Sequence, residues 1–136
     1  MNNFIPDFIE VLTTEGWLEL KDYRQRNPVL VLNKELRPSY IIPRVYSKYS
    51  YQGPLIEIET ETCQIFLKPS SKILVDGLSK KVKELSKKDM LSRYYLGHKI
   101  DKLTHGYWDG NVHSLFFGEE LYLPIKFEKD YCLLVV

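Results

Sequence analysis

Short apolar runs alternate with turn residues along the chain, a pattern typical of a β-rich fold. Residues 9–13 alternate apolar and polar, and the alternation resumes at residues 17–20 after a Thr-Glu-Gly turn. This pattern predicts a hairpin in which Gly16 adopts a positive φ angle. Residues 28–33 form a continuous apolar run, which predicts a strand buried on both faces.

The middle of the chain predicts three more extended segments. Residues 39–49 read as one of them, with Pro43 placing it near an edge or a bend. A turn is predicted at residues 52–54, and residues 55–60 and 62–67 after it predict a hairpin. Residues 71–77 predict a further strand that ends in a turn.

Helix is expected to be rare. The best candidate lies within residues 79–91, where Val82 and Leu85 fall on one side of a single turn. We expect an all-β fold of bent antiparallel hairpins, with about eight to ten short strands and at most one short helix. Past residue 91, strands are predicted at residues 94–97, 121–125 and 131–136, with a turn at residues 106–111.

Composition bounds the class of protein. The 136 residues are 44% hydrophobic and 27% charged, which fits a single domain over residues 1–136 and argues against disorder. No apolar stretch is long enough to cross a bilayer and the start lacks a signal-peptide pattern, so we expect neither a membrane span nor secretion. Cys63 and Cys132 have no CxxC partner, so neither a disulfide framework nor a cysteine-based metal site is expected.

Four motifs follow one another in order at residues 7–17, residues 29–33, residues 51–58 with 67–75, and residues 82–91. The first motif is a Val-Leu-Thr strand, an acidic-Gly turn and a Trp. Together the four resemble the N-terminal portion of a Hint (hedgehog/intein) domain, most closely the phage and viral variety. The resemblance implies a compact Hint-like fold, an origin in a self-splicing element, and the host cytoplasm or a virion as the location.

The same resemblance implies where the splicing groups would lie. The nucleophile position corresponds to Asn3, whose amide cannot form the ester or thioester that starts splicing. The Thr-x-x-His element corresponds to residues 68–71, with Lys68 for the Thr and Ser71 for the His. A hydroxyl does not transfer protons near neutral pH as imidazole does. The chain ends in Leu-Leu-Val-Val without the His-Asn pair, so we expect no enzymatic activity.

Other chemistry receives little support. His98, His105 and His113 show no metal-ligand spacing, so no metal and no cofactor are expected. The remaining candidates are binding surfaces, although sheet packing and a solvated charged face explain them as simply. They are a Tyr-rich strip for a partner (Tyr40, Tyr46, Tyr49, Tyr51) and a basic cluster for nucleic acid (Lys80, Lys81, Lys83, Lys87, Lys88, with Arg93, Tyr94 and Tyr95 beyond).

Three functional hypotheses follow. The first is a catalytically inactive Hint-like domain of a phage or virus that binds another protein, such as a phage structural or replication protein, through the Tyr-rich strip or a sheet edge. The second is the N-terminal fragment of a split intein, which would require a nucleophile where Asn3 stands. The third is a nucleic-acid-binding accessory protein that uses the lysine cluster.

Overall fold

The computed structural model describes residues 3–92 and 97–136, and within them the protein is all-β, as predicted. Thirteen strands are joined by turns, and the helical content is two 3₁₀ turns, Leu20–Asp22 and Val82–Glu84. The strands are β1 (Ile5–Pro6), β2 (Glu10–Thr13), β3 (Gly16–Glu19), β4 (Val29–Leu32), β5 (Pro38–Ile41), β6 (Val45–Thr60), β7 (Gln64–Leu67), β8 (Lys72–Val75), β9 (Leu78–Lys81), β10 (Met90–Leu91), β11 (His98–Phe116), β12 (Tyr122–Phe127) and β13 (Asp130–Val135).

The pairings are antiparallel, and the sheet path runs β3-β2-β4-β12-β13-β8-β10-β11-β6-β7. Strands β1, β5 and β9 lie off this path, on β11, β4 and β8 respectively. The hairpin β12–β13 is inserted between β4 and β8, so the last part of the sequence completes a sheet begun by the first part. No helix in the described part of the chain is long and apolar enough to cross a membrane.

Strands β6 and β11 form a long two-stranded ribbon. They pair from Ile100 opposite Thr60 to Phe116 opposite Val45, with a register shift between Ile100 and Lys102. Strand β7 pairs with the far end of β6, and β1 and β10 pair with opposite ends of β11. The ribbon therefore connects strands from every part of the sequence.

The turns predicted at residues 52–54 and 106–111 are wrong, because both segments lie inside this ribbon. A proline is tolerated in a strand when its nitrogen faces an open edge, and residues 45–55 of β6 pair only with β11 in the described structure. The glycines are covered by aromatic rings: a Cβ on Gly53 would lie 2.5 Å from Oη of Tyr51, and one on Gly110 would lie 3.1 Å from the Trp108 ring. Aromatic rings that cover strand glycines support an extended conformation.

The helix predicted within residues 79–91 is also wrong. Asp76 and Gly77 have φ angles of 49° and 78°, the two-residue hairpin turn that leads from β8 directly into β9. Val82 is buried and begins one of the two 3₁₀ turns, and β10 closes the segment. The number of strands exceeds the prediction because two-residue strands such as β1 and β10 carry too little pattern to be recognised. Of the strand predicted at residues 94–97, Tyr94, Tyr95 and Leu96 lie outside the described residues.

The single extended segment predicted at residues 39–49 is divided in the structure, because β5 ends at Ile41 and β6 begins at Val45, on either side of Pro43. The remaining predicted strands and hairpins are confirmed. The first hairpin is β2–β3, with Gly16 at a φ angle of 104°, and the second is β6–β7. One main core receives side chains from most strands, and burying each large side chain contributes roughly 1.5–3 kcal/mol. The largest fully buried side chains are Phe4, Ile5, Ile9, Leu20, Ile58, Ile65, Leu67, Ile73, Leu91, Ile100, Leu115 and Leu123.

The ring that covers Gly53 generates a prediction. The Tyr51 ring is held by an edge contact with Phe4 at 4.3 Å and by a hydrogen bond from its hydroxyl to the Pro54 carbonyl at 3.0 Å. Gly53→Ala must displace that ring, so we expect a loss of about 1–2 kcal/mol in the free energy of unfolding, measured with urea.

Gly106→Ala is the matched control, because its Cβ would find only the Leu55 carbonyl oxygen at 3.9 Å. That variant should be as stable as the parent. Equal stability of the two alanine variants would contradict the described packing.

Candidate functional site

A cleft of about 770 Å³ forms where the N-terminal segment, the loop before β8 and the end of the chain meet. Two of the three positions implied by the Hint resemblance, Asn3 and Ser71, line it. The other lining residues are Ser70, Lys72, Lys81, Phe116, Gly118, Glu119, Glu120, Val135 and Val136. The cleft is therefore the place to test the chemistry that the resemblance implies.

The side chain of Asn3 is buried and bound to β11. Its Nδ2 donates to the Leu115 carbonyl at 3.3 Å, and its Oδ1 accepts from the Leu115 amide at 3.3 Å. The Ser114 hydroxyl also donates to Oδ1, at 3.4 Å. Since Ile5 already pairs with His113, the amide of Asn3 continues the β1–β11 ladder with a side chain. Both ends of this amide are thus occupied by structural hydrogen bonds.

Lys68 lies beside the residue that follows Asn3. Its Nζ is 4.8 Å from the centroid of the Phe4 ring, a cation–π distance. Phe4 itself is fully buried. The ammonium group of Lys68 is therefore placed at the N-terminal segment, where it stabilises the packing of Phe4.

Ser71 is buried at 2% exposure, and its Oγ has no hydrogen-bond partner within the described residues. Its backbone is fully used: the amide donates to the Lys68 carbonyl at 3.0 Å, and the carbonyl accepts from Val82 at 2.8 Å. Leaving a buried hydroxyl unpaired costs about 1–3 kcal/mol. Ser71 thus belongs to the wall of the cleft, with its hydroxyl buried from solvent.

The end of β13 forms another wall of the cleft. The Val136 amide donates to the Leu121 carbonyl at 3.0 Å, and the Leu121 amide donates back at 3.2 Å. These reciprocal bonds continue the β12–β13 ladder by one residue. Val135 and Val136 therefore present apolar side chains to a cleft whose rim is charged by Lys72, Lys81 and two glutamates.

A polar chain that sequence reasoning missed links Asp7, His113 and Tyr46. His113 is fully buried; its Nε2 hydrogen-bonds the Asp7 carboxylate, and its Nδ1 lies 2.6 Å from the Tyr46 hydroxyl. Burial lowers the pKa of His113, although the hydrogen bond to Asp7 opposes this effect. The network therefore assigns a neutral ring whose Nε2–H donates to Asp7 and whose Nδ1 accepts from Tyr46.

The other two histidines lie elsewhere. His98 is buried, with Nδ1 3.4 Å from the Thr62 hydroxyl and Nε2 3.2 Å from the Tyr131 carbonyl and 3.6 Å from the Asp130 carboxylate. His105 is exposed on the ribbon. Within residues 3–92 and 97–136, no three His, Cys, Asp or Glu side chains are arranged to hold a metal ion.

The two cysteines, distant in sequence, are neighbours in the fold. Both are buried as free thiols. Burial raises the pKa of the Cys132 thiol, and its hydrogen bond with the Cys63 thiol raises it further. A thiol held in its protonated form is a poor nucleophile, so Cys132 acts as core packing beside Cys63.

The four tyrosines of the predicted strip are not gathered on one surface. Tyr49 and Tyr51 project from one face of β6 and Tyr46 from the other, whereas Tyr40 lies on β5. Tyr46 is engaged by His113 and packs against Tyr23, and Tyr51 covers Gly53. Tyr40 and Tyr49 are 48% and 41% exposed and remain available to a partner.

The lysine cluster is partly neutralised. The Lys80 ammonium lies 3.0 and 3.1 Å from the two carboxylate oxygens of Asp89, which also accepts the Ser86 amide. Lys81 lines the cleft, whereas Lys83, Lys87 and Lys88 are exposed. Arg93, Tyr94 and Tyr95, which the nucleic-acid hypothesis added to the patch, lie outside the described residues.

Comparison with solved structures identifies the fold. An intein-like domain from Clostridium thermocellum superposes with a TM-score of 0.82 at 12% identity, over 100% of this chain and 99% of that one. An intein precursor, KlbA of Methanococcus jannaschii, gives 0.80 at 11% identity over 98% and 91%. A DnaB intein from Synechocystis gives 0.77 at 13% identity over 99% of each chain. The chain therefore has the Hint-like fold of inteins.

Sequence comparisons are less extensive. No protein-family model matches the chain. The proteolytic subunit of an ATP-dependent Clp protease from Chlamydomonas moewusii is 36% identical over 67 residues, which is 48% of this chain. The match spans only 7% of that relative's length, so it concerns a small segment of a much longer protein.

The buried His113 generates a prediction on pH. Its pKa is lower in the folded state than the ordinary value of 6.5, so below that pH the unfolded chain binds more protons than the folded chain. Its contribution to stability is complete above about pH 6.5 and decreases as the pH falls. His113→Gln should therefore lose less stability than the parent when urea unfolding is compared between about pH 7.5 and pH 5.

The exposed His105 supplies the control. His105→Gln should show the same pH dependence as the parent. If His113→Gln kept the full pH dependence, the assignment of a buried neutral ring would be wrong.

Proposed function

We propose that this chain is a catalytically inactive Hint-like β domain that serves as a protein-binding or structural module, descended from an intein-like element with a phage or virus as its source. The fold supports the ancestry. The state of the cleft supports the loss of chemistry, and the exposed surfaces support a binding role.

The main support for the proposal is the pair of hydrogen bonds between the Asn3 side chain and the backbone of Leu115. A splicing nucleophile must be free to attack the preceding carbonyl. The amide of Asn3 has no nucleophilic oxygen or sulfur of that kind, and both its ends are bound to Leu115. A residue used in this way fastens the N-terminal segment to β11.

The surroundings of Asn3 point in the same direction. No histidine and no cysteine line the cleft in the described structure, so no general acid or base of the imidazole type is available there. Lys68 is placed over Phe4, and Ser71 offers an unpaired hydroxyl. These two groups do not form a relay that could move protons at a peptide bond.

The partial match to a long polypeptide suits this ancestry. A short match inside a much longer protein is the arrangement expected of an inserted module, and we propose that this chain descends from one. Proteolysis is a property of the Clp subunit named above and forms no part of the proposal. The binding role is supported by Tyr40 and Tyr49, because exposed tyrosines are enriched at protein interfaces.

The two other hypotheses receive less support. A split-intein fragment would still need a nucleophile where Asn3 is bound to the main chain. A nucleic-acid-binding role would need free positive charge, but Lys80 forms an ion pair with Asp89. The basic cluster is therefore weaker than the sequence predicts.

The inactive state is tested by thiol-induced cleavage. A reporter protein is joined directly before Asn3, and release of the reporter by dithiothreitol is followed on a denaturing gel. The parent chain should release none, because an amide side chain forms no thioester. Release from the parent would contradict the proposal.

A variant with the chemistry restored serves as the positive control. Asn3→Cys combined with Lys68→Thr and Ser71→His should release the reporter, whereas Asn3→Cys alone should release much less. Restoration by all three changes would support the assignment of these positions. Equal release by the single and triple variants would refute the roles assigned to Lys68 and Ser71.

A further inference from the structure

Positive charge is concentrated in residues 24–44. This segment carries five basic side chains and one acidic one, a net charge of +4, whereas the whole chain has +1. The remainder of the protein is therefore slightly acidic. The basic residues are Arg24, Arg26, Lys34, Arg37 and Arg44, and the acidic one is Glu35.

The arginines of this segment are exposed and have no ion-pair partner among the described residues. Arg44 is held in place by packing, because its guanidinium lies over the backbone of Gly118. Glu119 and Glu120 follow Gly118 in sequence, and neither reaches ion-pair distance of Arg44. The positive charge is thus uncompensated and available to an external acidic group.

The arginines flank the free edge of β5. Arg37 directly precedes the strand, and Arg44 lies three residues beyond its end. The loop that contains Arg24 and Arg26 is tied to the same end, because Gln25 Nε2 donates to the Pro43 and Arg44 carbonyls at 3.4 Å each. Positive charge therefore lies at both ends of one strand.

Strand β5 itself is open to strand addition. It pairs only with β4 in the described structure, and no charged residue interrupts its sequence Pro-Ser-Tyr-Ile. Edge strands are commonly protected by lysines, as β9 is by Lys80 and Lys81. Next to the free edge, Tyr40 and Ile42 are 48% and 52% exposed, so apolar contact area accompanies the open ladder.

We propose that the free edge of β5 binds an extended acidic segment of a partner protein, which adds to the sheet as a new strand. The partner's main chain completes the ladder, its apolar side chains contact Tyr40 and Ile42, and its carboxylates meet the arginines at both ends. This inference rests on the proposed binding role and specifies the chemistry of the partner.

Two other occupants fit the observations less well. A second copy of the chain would place one set of arginines against another across the paired β5 edges, and like charges repel. A nucleic acid would satisfy the arginines, but it cannot complete a β ladder with the free backbone groups. An acidic polypeptide can pair with the arginines and can also hydrogen-bond the free backbone groups of β5.

The probe is a fluorescein-labelled ten-residue peptide that alternates Glu and Val, with binding followed by fluorescence polarisation on the full chain. We expect a Kd on the order of 10–100 μM at low salt, weakening as salt screens the charges. A peptide with Lys in place of Glu should not bind. A version with alternate backbone nitrogens methylated keeps its charge but cannot pair, so it should bind at least about tenfold more weakly.

Arg26→Glu combined with Arg37→Glu should weaken binding about tenfold, and Lys87→Glu with Lys88→Glu should leave it unchanged. Circular dichroism checks that both variants fold. No binding at low salt, equal binding of the methylated peptide, or tighter binding of a ten-nucleotide oligothymidine would overturn the inference.

The two proposals fail independently. Reporter release in the thiol assay would refute the inactive state and leave this inference intact, whereas failure of peptide binding would remove only the partner assignment.

Discussion

The pairing of β6 with β11 is the constraint on which the rest of the structure depends. Strands β1, β7 and β10 each pair with one of these two, and the core packs against their buried face. The ribbon also fixes the N-terminal segment, since Asn3 binds Leu115 and Ile5 pairs with His113. The position of the first described residues is thus set by a strand more than a hundred residues later in the chain, a long-range dependence that favours slow, cooperative folding.

Two buried polar side chains, His113 and Ser71, differ in their hydrogen bonding. The ring of His113 has a partner at each nitrogen, so its burial is compensated and the network can specify a single register for β1. The hydroxyl of Ser71 has none in the described structure. The hydrogen bonds of His113 compensate its burial, whereas the burial of the Ser71 hydroxyl has no such compensation among the described residues.

Local pattern predicted the fold class and most short hairpins, because alternation and turn residues act within a few positions. It failed at Gly53, Pro54 and Gly110, which signal a turn in isolation but lie in the ribbon because distant residues complete their environment. The cleft positions were reached through family resemblance, since nothing local marks Asn3 or Ser71. The hydrogen-bonded group of Asp7, His113 and Tyr46 could not be predicted, because His113 is 106 residues from Asp7 and 67 residues from Tyr46 in the sequence. The local signal was a histidine within the largely apolar residues 112–117.

Gly118 belongs to the cleft and also contacts Arg44 of the basic segment, residues 24–44. It lines the cleft, and its backbone, at a φ angle of 90°, supports the guanidinium of Arg44 at the basic edge. Any side chain at this position would be strained in conformation and would collide with Arg44. Gly118 is therefore a point that the wall of the cleft and the side chain of Arg44 share. A substitution at this one glycine would alter the cleft wall and the position of a basic side chain together.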